Sequence, residues 1–296
     1  MMRECRQWKE LLGRMYAGAT GVHRWFRSRQ DAAPIPVLVV GSLRSGGGGK
    51  TPVATWLAHR FPDAAVLAHP TGDEDQELQQ TFPGRVFLGD CWRELWETAR
   101  QAGFRTGICD GGFQDPAMQG AFKLLIWDEP EHWGYESLLP VGRFRELPSS
   151  LRRADLVLAA ADSVPVDFHG RTWSFAWAHD PLPDRIGSEA LLACGVGRPE
   201  RVRHDLEAMG IRVRASHIVP DHGKFSVRSL EALARMHPGL PWVGTSKDAV
   251  RWPKGLPALA VMKRRWVPEE PQSLLELLER ELALRRLPAT ANSVWS

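Results

Sequence analysis

Cysteine is scarce in this chain. The four cysteines (Cys5, Cys91, Cys109 and Cys194) lie far apart with no CxxC pair. That spacing excludes a disulfide scaffold and a zinc ribbon and suits a reducing cytoplasm. Excess charge is scarce too. Lys plus Arg number 38 against 35 Asp plus Glu, and a net charge of +3 is too small to mark a nucleic-acid binder. No stretch reaches the roughly 18 apolar residues that a membrane-spanning helix needs. Residues 1–29 carry scattered charges and no uninterrupted apolar run, so no secretory leader is expected. No internal repeat or low-complexity tract is visible. What is present, 43% hydrophobic and 25% charged residues, is the balance of a folded soluble protein. At 296 residues the chain has room for one large or two modest domains.

Residues 5–29 read as a helix, with Trp8, Leu11, Leu12 and Met15 at helical spacing and Val22, Trp25 and Phe26 beyond. Gly18 and Gly21 are expected to interrupt it. Seven basic residues (Arg3, Arg6, Lys9, Arg14, Arg24, Arg27, Arg29) stand against Glu4 and Glu10. A basic face opposite a Trp/Phe/Leu face is what a helix on anionic lipid needs. An ordinary amphipathic helix packed on its own domain has the same pattern. Tryptophan is abundant, at 13. Trp8 and Trp25 suit a membrane interface, whereas Trp92, Trp96, Trp127, Trp173 and Trp177 fall in expected helices or strands and read as core.

From Ile35 the texture changes. Pro36 to Val40 is a short apolar run, consistent with a buried parallel strand. It leads into Gly41-Ser42-Leu43-Arg44-Ser45-Gly46-Gly47-Gly48-Gly49-Lys50-Thr51, and then into a helix carrying Val53, Ala54, Trp56, Leu57 and Ala58. Strand, glycine loop, Lys-Thr and helix form the P-loop arrangement, in which backbone N–H groups and a helix N-terminus hold phosphate oxygens. Gly46, Gly47, Gly48 and Gly49 would form the cradle, Lys50 would reach the β/γ-phosphates, and Thr51 would hold Mg²⁺. The strict pattern has a glycine where Arg44 stands. Phe104 to Cys109 reads as a strand ending at Asp110, placed to organise the metal from a neighbouring strand. A turn-forming Asp-Gly is the alternative.

In this order the motifs resemble the tetraacyldisaccharide 4′-kinase family, the lipid A kinases. Val39 to Leu43 followed by Gly46 to Pro52 resembles VVGNLxxGGTGKTP, a pattern that also lacks the first P-loop glycine. Gly72-Asp73-Glu74 resembles GDE, and Asp110 to Asp115 resembles DDGxQH. Leu138 to Glu146 resembles LLPAGPLRE, and Gly195 to Arg201 resembles GIGNPER. Pro220-Asp221-His222 resembles PDH, and Thr245 to Val250 resembles TEKDAV.

The resemblance implies an α/β fold: a P-loop NTPase-like parallel-sheet domain and a smaller C-terminal α/β domain, joined by a two-stranded linker. Residues 1–30 are expected as a membrane-associating helix, 31–165 as the P-loop domain, 166–183 as the linker region and 184–296 as the smaller domain. Arg171 to Trp177 alternates as a linker strand should. Helices are expected at Pro199–Met209, Ser226–Met236 and Pro271–Arg286. The implied reaction moves the γ-phosphate of ATP, with Mg²⁺, to the 4′-hydroxyl of a tetraacylated disaccharide precursor. It would take place on the cytoplasmic face of the bacterial inner membrane, with no nucleic acid involved. Asp73 and His222 would act together as the base, and their separation in sequence calls for both domains around one cleft. Arg143, Arg145, Gln114 and Lys247 would contact substrate or phosphate.

Departures from the family pattern are specific. Gly111 stands for the second acid of DDGxQH and Asp115 for its histidine; the SRGYG segment is absent; Gly223 follows His222; Ser246 replaces the glutamate of TEKDAV. They leave a second reading, a catalytically weak or inactive nucleotide- and lipid-binding relative of those kinases. A generic P-loop GTPase lacks support, because Thr245-Ser246-Lys247-Asp248 is not a guanine-reading NKxD.

Overall fold

The computed structural model describes residues 2–27, 36–70, 73–128, 134–160, 163, 168–221 and 223–286; at 2–7, 22–27, 73, 74 and 286 only the backbone is described. The chain forms two compact units. One comprises the chain up to Pro70, Leu78–Trp177 and everything from Trp266 on; the other comprises Thr71–Glu77 and Ala178–Arg265.

The first unit is built on β1 (Val37–Ser42), whose six residues are all buried. It pairs in parallel with β4 (Gly107–Asp110) on one side and β5 (Phe122–Trp127) on the other. With β2 (Ala65–Ala68), β3 (Val86–Leu88), β6 (Leu156–Ala160), β7 (Thr172–His179) and β12 (Arg264–Pro268), the order is β12-β7-β6-β5-β1-β4-β2-β3. A strand's side chains alternate between faces, and β1 serves two cores that way. Leu38 and Val40 pack with Val53, Ala54 and Leu57 of helix α2 (Lys50–Arg60). Val37 and Val39 pack with Trp92, Leu95 and Trp96 of α4 (Trp92–Gln101). Burial on both faces is what makes β1 a continuous apolar run.

Helix α1 (Met2–Arg27) is unbroken, so Gly18 and Gly21 do not interrupt it. A β-carbon on either would meet nothing within 4 Å, so a glycine there costs some helix propensity, about 1 kcal/mol, and no packing. Gly13 is the glycine that matters. A β-carbon there would lie 1.8 Å from the Tyr135 carbonyl oxygen, so only glycine lets α1 approach the 3-10 turn at Tyr135–Ser137. The expected strand at Phe104 starts later, at Gly107, because Ala102 to Phe104 turn back on the end of α4.

The second unit repeats the two-core design on a smaller parallel sheet, in the order β11-β10-β8-β9. Its strands are β8 (Glu189–Cys194), β9 (Arg212–Ile218), β10 (Trp242–Thr245) and β11 (Ala260–Met262). Ala190 and Leu192 face one core, with Val202 and Leu206 of α5 (Pro199–Ala208). Leu191 and Ala193 face the other, with Leu230 of α6 (Val227–Met236). Ser226 starts α6 by accepting the Ser229 N–H at 3.3 Å.

Two expected boundaries differ. The smaller domain does not run to the C-terminus, because α8 (Pro271–Arg286) belongs to the first unit. Leu274, Leu278 and Leu282, spaced four apart, form a stripe on the core that holds Phe122, Leu124, Leu156 and Leu158. Glu281 of α8 pairs with Arg171 at 2.6 Å, and the Arg285 guanidinium lies 5.0 Å from the Phe122 ring. The region 166–183 also holds only one of the two crossing strands, β7. The other is β12, and the pair is antiparallel: Glu269 N–H donates to Ser174 O, and Asp180 N–H to Lys263 O.

Leu278 is fully buried, whereas Leu284 on the same helix is 57% exposed. Leu278→Ala is expected to lower stability to urea by about 2–5 kcal/mol, the range for a cavity in a packed core. Leu284→Ala should stay within about 0.5 kcal/mol. Equal effects would contradict the docking of α8.

Candidate functional site

The loop between β1 and α2 reverses the chain over a few residues, and three of its glycines take left-handed conformations: Gly46 (φ 76), Gly47 (φ 60) and Gly49 (φ 72). A side chain has no room at Gly48 or Gly49. A β-carbon on Gly48 would lie 2.4 Å from Ser42 Oγ, and one on Gly49 would lie 2.6 Å from the Trp177 ring. Gly49 caps α2 without a side chain, and the first turn (Lys50-Thr51-Pro52-Val53) carries no acid. The helix N-terminus therefore offers its dipole and backbone N–H groups to an anion.

The segment from Leu138 to Glu146 straps this loop. Ser45 N–H donates to Arg143 O at 2.8 Å, and Arg145 N–H donates to Leu43 O at 2.7 Å. Arg44 and Phe144 form an antiparallel bridge, and the Arg44 guanidinium lies 4.9 Å from the Phe144 ring centre. Arg44 thus stands where the loop contacts its strap, which gives a physical use for the residue that departs from the strict P-loop pattern. Arg143 and Arg145, expected at phosphate, are exposed to either side of Phe144 beside the loop.

Thr51 and Asp110 meet as expected. The parallel register pairs Val40 with Asp110, which brings the carboxyl end of β4 beside the first turn of α2. Thr51 Oγ1 donates to Asp110 Oδ2 at 2.7 Å. Next to it, Gly111 has φ 116 and Gly112 has φ 91. The second acid of the DDG pattern would stand at Gly111, in a conformation that an L side chain rarely adopts. Asp115 caps the 3-10 turn Pro116–Met118, its Oδ1 accepting the Ala117 N–H at 2.9 Å. Gln114, expected at substrate, donates Nε2 to the Ser42 carbonyl at 3.0 Å and braces the end of β1. Among the described residues, no group of three or more His, Cys, Asp or Glu is placed to hold a metal by itself. One carboxylate and one hydroxyl are the protein share that suits a Mg²⁺ otherwise held by phosphates and water.

Three further motifs converge at the carboxyl ends of β8, β9 and β10. Asp248, fully buried in α7 (Ser246–Val250), accepts Gly195 N–H at 2.8 Å, Thr245 N–H at 2.9 Å and Thr245 Oγ1 at 2.7 Å. Arg251 completes the group. It pairs with Asp248 at 3.1 Å and donates to Gly223 O at 2.8 Å, Gly195 O at 2.9 Å and Lys247 O at 3.1 Å. Gly223 N–H donates to Pro220 O at 2.7 Å, closing the turn that carries position 222. Neither Asp248 nor Arg251 was singled out from sequence. The N-cap spacing of Thr245 and Asp248 was a readable signal; Arg251 had none. Lys247 stands on α7, in the second unit.

His222 lies outside the described residues, and Asp73 is described only as the first backbone residue of α3 (Asp73–Thr81). Residues 73–77 group with the second unit, as do Asp221 and Gly223. Burial pushes the Cys194 thiol up to about 12 and raises that of Cys109 as well, which disfavours the thiolate at both.

The model of the tetraacyldisaccharide-1-P 4′-kinase family matches residues 9–69 and 62–283. The chain belongs to this family. The tetraacyldisaccharide 4′-kinase of Halorhodospira halophila is 30% identical over 252 residues, 75% of each chain. That of Rhodospirillum centenum is 31% identical over 288 residues, 83% of each chain. The crystal structure of LpxK from Aquifex aeolicus in complex with ATP superposes with a TM-score of 0.69, covering 94% of this chain and 99% of that one. At 19% identity this likeness bears on the fold alone. Membership accounts for the shared order of motifs, and the strap, the Thr51–Asp110 contact and the Asp248–Arg251 brace show what several of those motifs do in the folded chain.

Gly49→Ala is expected to lower nucleotide affinity at least tenfold, because the added methyl meets Trp177 at a backbone angle alanine disfavours. Titration with a fluorescent ATP analogue measures this; unchanged affinity would refute the cradle.

Proposed function

We propose that this protein phosphorylates the 4′-hydroxyl of a tetraacyldisaccharide 1-phosphate, using ATP and Mg²⁺, in lipid A biosynthesis. The observation that carries the reading is the Thr51–Asp110 contact at the mouth of a glycine loop that has no space for a side chain at Gly48 or Gly49, in a chain of this family. The backbone N–H groups of residues 46–51 and Lys50 hold the triphosphate. Thr51 and Asp110 would hold Mg²⁺, which when bound bridges phosphate oxygens and offsets their charge. Arg143 and Arg145, exposed beside the loop, would meet further phosphate charge. Asp73 and His222 act as one base: the carboxylate orients the imidazole, and the imidazole takes the proton of the acceptor hydroxyl. The hydroxyl oxygen bonds to the γ-phosphorus, the bond to the β–γ bridging oxygen breaks, and ADP leaves.

The protein acts at a lipid surface through α1. Trp8 and Met15 are 67% and 64% exposed, and Leu11 and Leu12 are exposed between them. No helix among the described residues is long and apolar enough to cross a membrane. An apolar stripe beside basic residues, with its other side fixed by Gly13 against Tyr135, suits an in-plane helix on the anionic cytoplasmic leaflet.

Purified protein with Mg-ATP and a tetraacyldisaccharide 1-phosphate is expected to give the bisphosphorylated product. Lys50→Ala, Asp73→Ala and His222→Ala should each lower kcat at least 100-fold. A wild-type protein that binds ATP but is as inert as these variants would establish the binding-protein reading instead. In flotation with vesicles containing anionic phospholipid, Trp8→Glu with Met15→Glu should lose most of the bound fraction; equal flotation would refute the role of α1.

A further inference from the structure

We propose that Arg251 is a positioning residue for the phosphoryl transfer: its guanidinium, set by the buried Asp248, fixes the Pro220–Gly223 turn that carries His222. The inference rests on the reading of His222 as part of the base.

The geometry is a single planar cation joined to three segments that are distant in sequence. Arg251 is 13% exposed at its side chain, and Asp248 is fully buried. The Asp248 carboxylate is held by Gly195 N–H and by Thr245 through both its N–H and its hydroxyl. That fixes the carboxylate, and the carboxylate fixes the guanidinium. Besides the Lys247 carbonyl of its own helix, the guanidinium then reaches two carbonyls of other segments, Gly195 O after β8 and Gly223 O after β9. The guanidinium also lies 5.7 Å from the Phe225 ring centre, which closes one side of it. A fork of N–H groups at fixed angles holds two carbonyls at once; the ammonium of lysine is a point donor and does not.

The turn needs such a hold. A β-carbon on Gly223 would lie 2.8 Å from Pro220 O, so the turn is closed as tightly as glycine permits. The same lack of a side chain leaves residue 223 with only its backbone as an anchor, and Arg251 takes the carbonyl. Residue 222 is covalently adjacent to that anchored peptide. A base displaced by about 1 Å costs on the order of 100-fold in rate. Removal of Arg251 is therefore read in the chemical step and not in ATP binding, which the first unit's own loop provides.

The test compares full-length wild type with Arg251→Ala, Arg251→Lys, His222→Ala and the exposed control Arg235→Ala in the kinase assay, with Tm and circular dichroism recorded for each. Arg251→Ala is expected to lower kcat about 10–100-fold with KM for ATP within twofold of wild type. Millimolar guanidinium should restore a measurable part of that loss in Arg251→Ala and nothing in His222→Ala. Arg251→Lys should remain impaired in kcat, and Arg235→Ala should match wild type. A folded Arg251→Ala with wild-type kcat, alongside an inactive His222→Ala, would overturn the positioning role and leave the base reading intact. Wild-type kcat in His222→Ala would overturn the base reading, and the inference with it. If Arg251→Ala does not fold, Arg251→Lys decides: reduced kcat at unchanged KM supports the inference, and wild-type kcat refutes it.

Discussion

A loop that presents backbone N–H groups to phosphate has to be rigid without using those groups to make itself rigid. Much of the first unit answers that constraint. Leu43 anchors the start of the loop in the core, the Leu43 carbonyl and the Ser45 N–H pair with the 143–145 strap, and Trp177 closes against Gly49. The N-terminus of α2 is left to the ligand. Residues that look accessory in the motif, Gln114 and Phe144 among them, brace the loop from outside.

The same logic recurs in the second unit, with ions in place of backbone pairing. Loops after β8 and β9 and the helix after β10 meet at one end of a small parallel sheet, where open α/β sheets place their ligands. Asp248 and Arg251 take up the polar backbone groups that converge there. A buried ion pair is a weak source of stability unless its remaining hydrogen-bonding capacity is met, and here it is met by backbone. Two departures from the family pattern coincide with a local geometry that suits the residue present. Gly111 occupies a left-handed position, and Asp115 has become a turn cap.

Much of this was readable in advance. The apolar run of β1, the glycine loop, the Lys50-Thr51 pair and Asp110 at the end of β4 were legible because each rests on contacts along one strand or one turn, or on pairing with a neighbouring strand. Trp92, Trp96 and Trp127 are buried as their elements suggested. The break expected at Gly18 and Gly21 was misplaced, because a glycine weakens a helix by about 1 kcal/mol and does not end one. Gln114 is expected at substrate through the resemblance alone; which way its amide turns, here to the Ser42 carbonyl, is not written in the neighbouring residues.

The amino-acid sequence alone determined the elements and the chemistry available to them: two alternations of strand and helix, a phosphate loop and a set of motifs in one family's order. Tertiary structure decided the partnerships. The stripe of α8 declared an apolar face but not which sheet it would cover. It lies on the first because Phe122, Leu124, Leu156 and Leu158 form a face that needed covering. Arg251 declared only a charge, and its meaning came from carbonyls 56 and 28 residues away. Periodicity and turn chemistry are short-range and written locally. Which surfaces and which unsatisfied carbonyls remain to be matched is known only once the rest of the chain has folded around them.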